Sequence, residues 1–168
     1  MSKDIIHILQ TEAIGLLQQL IAIPSFSREE EKTADRIATY LRSKNVPVQR
    51  LQNNIWAKNK YFDAEKPTLL LNSHHDTVRP NKAYTLDPFT PLEKEGRLFG
   101  LGSNDAGGAL VSLIVTFIYY YEQKGLSHNI ILAATAEEEI SGHNGIELLL
   151  PSLGEIGWGI VGEPSRPF

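Results

Sequence analysis

Cysteine is absent from this chain of 168 residues. Disulfides are thereby excluded, and any metal site must be built from nitrogen and oxygen ligands. No apolar run is long enough to cross a bilayer. The longest, Ala109 to Tyr121, is broken by Ser112 and Thr116 and falls well short of the roughly 20 residues a spanning helix needs. The N-terminal Met-Ser-Lys-Asp-Ile-Ile-His holds no uninterrupted apolar segment of signal-peptide type, so a cytoplasmic protein with no membrane partner is expected. Basic charge is not in excess: 16 basic residues against 20 acidic ones leave a net charge of −4. With no basic patch and no RNP or Cys/His finger pattern, nucleic acid is not an expected partner. Internal repeats and low-complexity linkers are missing too.

What is present is globular. Hydrophobic residues make up 42% and charged residues 21%, a balance that argues against disorder, and the length suits one domain with its own core. Helices and strands alternate. Ile5 to Ile21 has apolar residues at helical spacing and is stopped by Pro24. Ser27 with Glu30 has the form of a capping box opening a second helix, whose buried stripe is Ala34, Ile37, Ala38 and Leu41. Val46 to Leu51 and Ile55 to Ala57 read as short strands turning at Asn53-Asn54. Thr68 to Asn72 and Asn129 to Thr135 are continuous apolar runs, as in strands covered on both faces. Leu92 to Leu98 reads as a hairpin around Glu95-Gly96. Ala106 to Gln123 reads as a long helix, apolar nearly all round and hence deeply buried, with Gly125 as its cap. Gly145 to Leu150 is a short helix ended by Pro151, and Trp158 to Val161 is a final strand. The expected fold is a three-layer α/β domain with a mostly parallel central sheet.

The residues that carry chemistry fall at the carboxyl ends of these strands, where open α/β sheets bind ligands. The Thr68 strand delivers His74 and Asp76, the Asn129 strand delivers Glu137, Glu138 and Glu139, and the Trp158 strand delivers Glu163. Asp105 lies in the loop entering the long helix. Residues two apart on an extended segment share a face, so His74 and Asp76 point together while His75 points away. Asp76 can then accept from the imidazole and orient His74 toward a metal. Each member also has a plainer reading. His74 alone is a surface histidine in a polar turn, Asp105 a helix N-cap, and the acidic run a solvated face. Three charges at the mouth of a buried strand are costly without a partner, however, and divalent ions are the simplest one. His7 and His128 read as surface residues, His143 as a loop residue and Arg79 as an exposed loop arginine.

Taken in order, Ser73-His-His-Asp-Thr-Val78, Asp87-Pro-Phe-Thr90, Gly96-Arg-Leu-Phe-Gly-Leu-Gly-Ser-Asn-Asp105, Thr135-Ala-Glu-Glu-Glu139 and Val161-Gly-Glu-Pro-Ser165 resemble the acetylornithine deacetylase / succinyl-diaminopimelate desuccinylase family of dinuclear zinc amidases and exopeptidases. The forms His-x-Asp-Thr-Val, Asp-Pro-Phe and Gly-Leu-Gly look more like the acetylornithine deacetylases of arginine biosynthesis. The resemblance implies a zinc-exopeptidase-like domain. It also implies that His74 and Glu163 bind one zinc, Glu139 binds a second and Asp105 bridges them. Glu138 would be the general base, and Asp76 would orient His74. Zinc is the implied cofactor, with cobalt or manganese admitted by the ligand chemistry. The implied substrate is an N-acyl amino acid, and the implied full-length assembly a homodimer.

Several features depart from that family. Its second-zinc histidine and its lid or dimerisation domain have no counterpart here, so residues 1–168 are expected to be the N-terminal part of the catalytic domain. Such a piece is expected to bind at most one ion, to be inactive alone, and to self-associate through exposed apolar surface. Asp105-Ala-Gly-Gly108 replaces the commoner Asp-Met-Lys-Gly, and Glu137 stands where Asp is usual. Other readings are a desuccinylase, a di- or tripeptidase, an inactive metal-binding fragment, or a metal-free binding domain. Glu138 and Glu139 beside Asp105 weigh against the last, because crowded carboxylates need a cation.

Overall fold

The computed structural model describes residues 3–164. The chain runs α1 (Lys3–Ile21), α2 (Glu31–Ser43), β1 (Gln49–Leu51), β2 (Asn54–Lys58), β3 (Thr68–His74), β4 (Leu92–Lys94), β5 (Arg97–Phe99), α3 (Ala109–Tyr121), β6 (Asn129–Thr135), α4 (Ile146–Leu153) and β7 (Trp158–Val161). Five strands form one sheet in the order β1-β2-β6-β3-β7, and β4-β5 form a separate hairpin. β6, β3 and β7 are parallel neighbours, β2 opposes β6, and β1 opposes β2. One strand, β2, therefore runs against the other four.

Side-chain alternation along the strands builds two cores. Ile55, Leu71, Ile130, Leu132 and Ala134 face α1, α2 and α3 in the larger cluster. Trp56, Leu70, Ile131 and Ala133 face Leu149 and Leu153 of α4 in the smaller one. With apolar cover on both faces, the middles of the central strands, Leu69 to Leu71 and Ile130 to Ala134, are apolar at successive positions. That is why β3 and β6 read as unbroken runs. The result is the expected three-layer α/β domain.

The connections explain where a site forms. From β3 the chain leaves toward the α3 face and returns as β6; from β6 it leaves toward the α4 face and returns as β7 on the far side of β3. Adjacent strands β3 and β6 thus send their following loops to opposite faces. A crevice opens at their carboxyl ends, the place where such sheets bind ligands.

Several local expectations need correction. The capping box is not made: α2 begins at Glu31 without a side-chain cap. Ser27 Oγ donates instead to Asp76 Oδ2 at 2.7 Å. Glu30 is fully buried and accepts from Arg28 N–H (2.6 Å), Asn53 Nδ2 (2.9 Å) and Glu137 N–H (3.2 Å). A distant acceptor takes the Ser27 hydroxyl, and one neighbouring and two long-range donors take the Glu30 carboxylate. The long helix starts at Ala109, after a kinked segment Ser103–Gly108 that is non-helical at Asp105 and Ala106, and it is not buried all round. Ser112 and Thr116 face outward, each hydroxyl bonding the carbonyl four residues back at 2.7 and 2.8 Å. Gly125 is not its cap, because the helix ends at Tyr121 and Glu122 takes that place. Pro151 does not end α4 but lies within it. In so short a helix one missing N–H costs a single bond, and Leu153 beyond it is 2% exposed, so continuing the helix buries it. The hairpin turn is as expected: Glu95 and Gly96 have φ of 53° and 70°, the paired positive values a two-residue turn requires.

Candidate metal centre

The site is assembled around one imidazole. His74 ends β3 opposite Thr135 and is 1% exposed. Its Nδ1 lies 3.0 Å from the backbone carbonyl of Asp76 and 3.4 Å from Asp76 Oδ1. A carbonyl only accepts, so Nδ1 carries a hydrogen and Nε2 is the nitrogen turned toward the site. Around Nε2 stand Asp105 Oδ1 at 3.2 Å, Glu163 Oε1 at 3.4 Å and Glu138 Oε2 at 3.7 Å. His75 points the other way, as alternation requires, with Nε2 donating to Asn53 O (3.0 Å) and Nδ1 lying 2.9 Å from Thr33 Oγ1.

Asp76 does more than orient the imidazole. Its carboxylate is fully buried and accepts from Ser27 Oγ, from Glu138 N–H at 3.1 Å and from Glu139 N–H at 3.2 Å. The closer contact to His74 is thus made by the Asp76 carbonyl, while the carboxylate fastens the one-turn helix Glu138–Ile140 to the end of β3. Burial alone would raise the Asp76 pKa, but these donors and His74 hold it below the ordinary carboxylate value.

Asp105 does not cap α3, which begins four residues later; its backbone is extended rather than helical (φ −110°, ψ 102°), and its side chain meets His74. Glu163 lies two residues beyond the end of β7, after Gly162. Ser165, the last residue of that motif, lies outside the described residues.

The crowded carboxylates shift one another's titration. Burial opposes protonation of His74, yet the hydrogen bond and charge of Asp76, joined by Glu163, push its pKa up to about 9. Burial, then Asp105, Asp76 and Glu138, raise Glu139, with His74 acting against them. Burial raises Glu163 as well, helped by Glu138, Asp105 and Asp76. Carboxylates that push one another toward protonation are relieved by a positive charge among them.

Two groups of potential ligands share His74. One is His74, Asp105 and Glu139, and the other is His74, Glu138 and Glu163; within each, one ligand atom per residue lies within 4.8 Å of the others. The donors are imidazole nitrogen and carboxylate oxygen, which fit zinc, cobalt or manganese. All the ligands expected from sequence are brought together, but Glu163 is grouped with Glu138 rather than with Asp105.

Other residues stand apart. Glu137 is buried behind the turn. His143 is exposed and pairs with Glu147 at 2.8 Å. His7 is exposed, and His128 packs on the Trp158 ring. Arg79 is paired with Glu29 at 2.8 Å over the Phe26 ring. Sequence reasoning missed Asn54, whose Oδ1 accepts from Ala136 N–H (3.0 Å) and whose Nδ2 donates to Asn144 O (2.7 Å). Those partners are 82 and 90 residues away, so no local pattern announces them. Among the described residues no helix is long and apolar enough to cross a membrane.

Comparison with known proteins identifies the family. The model of peptidase family M20/M25/M40 matches residues 70–168, more than half of the chain. A succinyl-diaminopimelate desuccinylase of Blochmanniella pennsylvanica is 35% identical, with 90% of this chain and 43% of that protein covered. The corresponding protein of Delftia acidovorans is 27% identical, with 92% of this chain and 44% of that protein covered. The chain therefore spans less than half the length of these relatives. A Bacillus subtilis structure described as a dinuclear metal-binding peptidase of the M20 family superposes with a TM-score of 0.69 at 15% identity, over 92% of this chain and 43% of that one. That likeness confirms the mixed α/β fold. Both named relatives are desuccinylases, so they lend no support to the narrower likeness to acetylornithine deacetylases.

Proposed function

This chain belongs to peptidase family M20/M25/M40, and from that premise we propose that the intact protein is a metal-dependent hydrolase of amide bonds in small N-acyl amino acids or short peptides. The observation that carries the reading is His74 Nε2 facing Asp105, Glu163 and Glu138 at 3.2, 3.4 and 3.7 Å. His74, Asp105, Glu139 and Glu163 would hold the ions. Zinc suits this donor set, and cobalt or manganese is compatible with it. A bound pair of such ions supplies a Lewis acid for the amide carbonyl and lowers the pKa of a water to about 7.

The chain's own groups do the rest. Glu138 takes the proton of the attacking water and returns it to the leaving amine. Its side chain is 53% exposed, so it is accessible to substrate while still beside the ligands. Asp76 holds the Nδ1 hydrogen of His74 with its carbonyl and the backbone of Glu138 and Glu139 with its carboxylate. Residues 1–168 form the N-terminal part of the catalytic domain on this reading, and a lid and the homodimer contacts belong to the rest of a longer protein. Support comes from coverage of 43–44% of the two relatives.

The relatives' names favour an N-succinyl amino acid as substrate, whereas the His-x-Asp-Thr-Val and Asp-Pro-Phe forms favour an N-acetyl one. The test is a panel on the zinc-loaded full-length protein: N-acetylornithine, N-succinyl-diaminopimelate, and di- and tripeptides. One amide class should be hydrolysed, and Glu138→Gln should keep zinc while losing activity by roughly 100-fold or more. Absence of both zinc binding and amide hydrolysis would sink the reading, and near-normal turnover by Glu138→Gln would remove that residue from its role.

A further inference from the structure

Beneath the turn that carries Glu138 and Glu139 lies a buried acid that the proposed mechanism does not use. Glu137 is 5% exposed and has a left-handed backbone, φ 55°. Its N–H donates to Glu30 Oε1 at 3.2 Å, and its carbonyl accepts from Gly142 N–H at 2.8 Å. Its Oε1 accepts from Asn144 Nδ2 at 2.9 Å. The side chain folds back against Gly142, where an added Cβ would stand 2.1 Å from Glu137 Oε2 and 2.6 Å from its Cβ. That Oε2 is buried with no hydrogen-bond partner among the described residues; Arg28 Nε is 4.0 Å away.

A left-handed glutamate and a buried unpartnered carboxylate oxygen are both costly. Such features persist where the surrounding structure enforces a geometry. Here the enforced element is a single helical turn, Glu138–Ile140, too short to hold its own direction. Asp76 grips it from the site side through the N–H groups of Glu138 and Glu139. Glu137 grips it from the opposite side through Glu30, Asn144 and Gly142.

We infer that Glu137 is a positioning residue: its buried side chain, wedged between Asn144 and Gly142, sets the direction in which Glu138 and Glu139 project at His74. The inference rests on the reading of Glu138 and Glu139 as residues of the metal site. Shape, rather than the negative charge, is the operative property.

The test compares Glu137→Ala and Glu137→Gln in the same protein by zinc titration and, without metal, by amide hydrogen exchange. Glu137→Ala should weaken zinc binding about 10- to 100-fold, the usual effect of removing a support behind a ligand. In the metal-free protein it should also strip exchange protection from the amides of Glu138 and Glu139 while those of Ile130 to Ala134 keep theirs. Glu137→Gln, which keeps the shape and the acceptor for Asn144, should stay within about threefold of the parent in zinc affinity. If Glu137→Ala does not fold, Gly142→Ala displaces the side chain without removing it and should reproduce both effects. Parent-like protection at Glu138 and Glu139 in the alanine variant would overturn the inference, as would equal zinc losses in the alanine and glutamine variants. A parent protein that binds no zinc would sink the metal reading instead, and the exchange data would still decide whether Glu137 places the turn.

Discussion

β6 and β7 carry similar apolar sequences, Asn-Ile-Ile-Leu-Ala-Ala-Thr and Trp-Gly-Ile-Val, yet every residue of β6 is buried and every residue of β7 is exposed. Both end next to an acidic site residue. The difference lies in neighbours. β6 is flanked by β2 and β3 and covered by α3 on one face and α4 on the other, whereas among the described residues β7 pairs only with β3. The site is therefore built on unequal supports. His74, Asp76, Glu138 and Glu139 hang from the two central strands and are cross-linked by the Asp76 carboxylate. Glu163 depends on the edge, where Gly162 is tied to the centre by its N–H donating to Asn72 O and by Ser73 Oγ donating to its carbonyl, both at 2.8 Å.

The sharpest way to break the comparison is to make the same kind of truncation in both strands. Leu132 on β6 is 1% exposed and Ile160 on β7 is 48% exposed. Leu132→Ala should cost about 2–5 kcal/mol, transfer plus cavity. Ile160→Ala should cost no more than about 0.5–1 kcal/mol. Urea unfolding of the two variants measures both; equal losses would mean that β7 is packed as tightly as β6.

Much of this was legible in advance, and the limits have physical causes. The ends of β6 and β7 were read correctly because a run of apolar residues bounded by polar ones reports the demand for cover. The same run says nothing about whether cover is supplied, so the burial of β6 and the exposure of β7 could not be told apart. His74 and Asp76 sharing a face followed from the two-residue period of a strand. The double duty of Asp76 did not, since its partners Ser27, Glu138 and Glu139 lie 49, 62 and 63 residues away. Ser27 and Glu30 have a sufficient local explanation as a helix cap, and a local rule cannot show that a distant hydrogen-bond partner will outbid it.

Metal binding sharpens the contrast between centre and edge. His74 belongs to both ligand groups, Glu163 to one. His74→Ala should therefore reduce zinc affinity by more than about 100-fold, and Glu163→Gln by about tenfold. The pH dependence follows the centre. The His74 pKa is raised to about 9, so the metal-free imidazole is protonated at neutral pH. An ion must displace that proton, and affinity should rise with pH by up to about tenfold per unit until about pH 9. Titration calorimetry in buffers of different ionisation enthalpy should find close to one proton released per first ion at pH 7. A flat affinity between pH 6.5 and 9 would show that His74 is not the group displaced.

The smallest effect is expected at the edge itself. Trp158, Ile160 and Val161 are 55%, 48% and 63% exposed, and an edge strand with apolar residues offers both hydrogen-bonding groups and apolar surface to another chain. A lysine blunts such an edge, because pairing would bury its charge. Among the ring contacts of the described residues, Trp158 meets only His128, edge to face at 4.8 Å, and it contributes nothing to either core cluster. Trp158→Lys should leave stability within about 0.5 kcal/mol of the parent while lowering the self-association expected of this surface. Sedimentation velocity over a concentration series distinguishes the outcomes: a parent that is monomeric throughout would show that the exposed strand does not recruit another copy, and a lysine variant that still associates would move the contact to another surface.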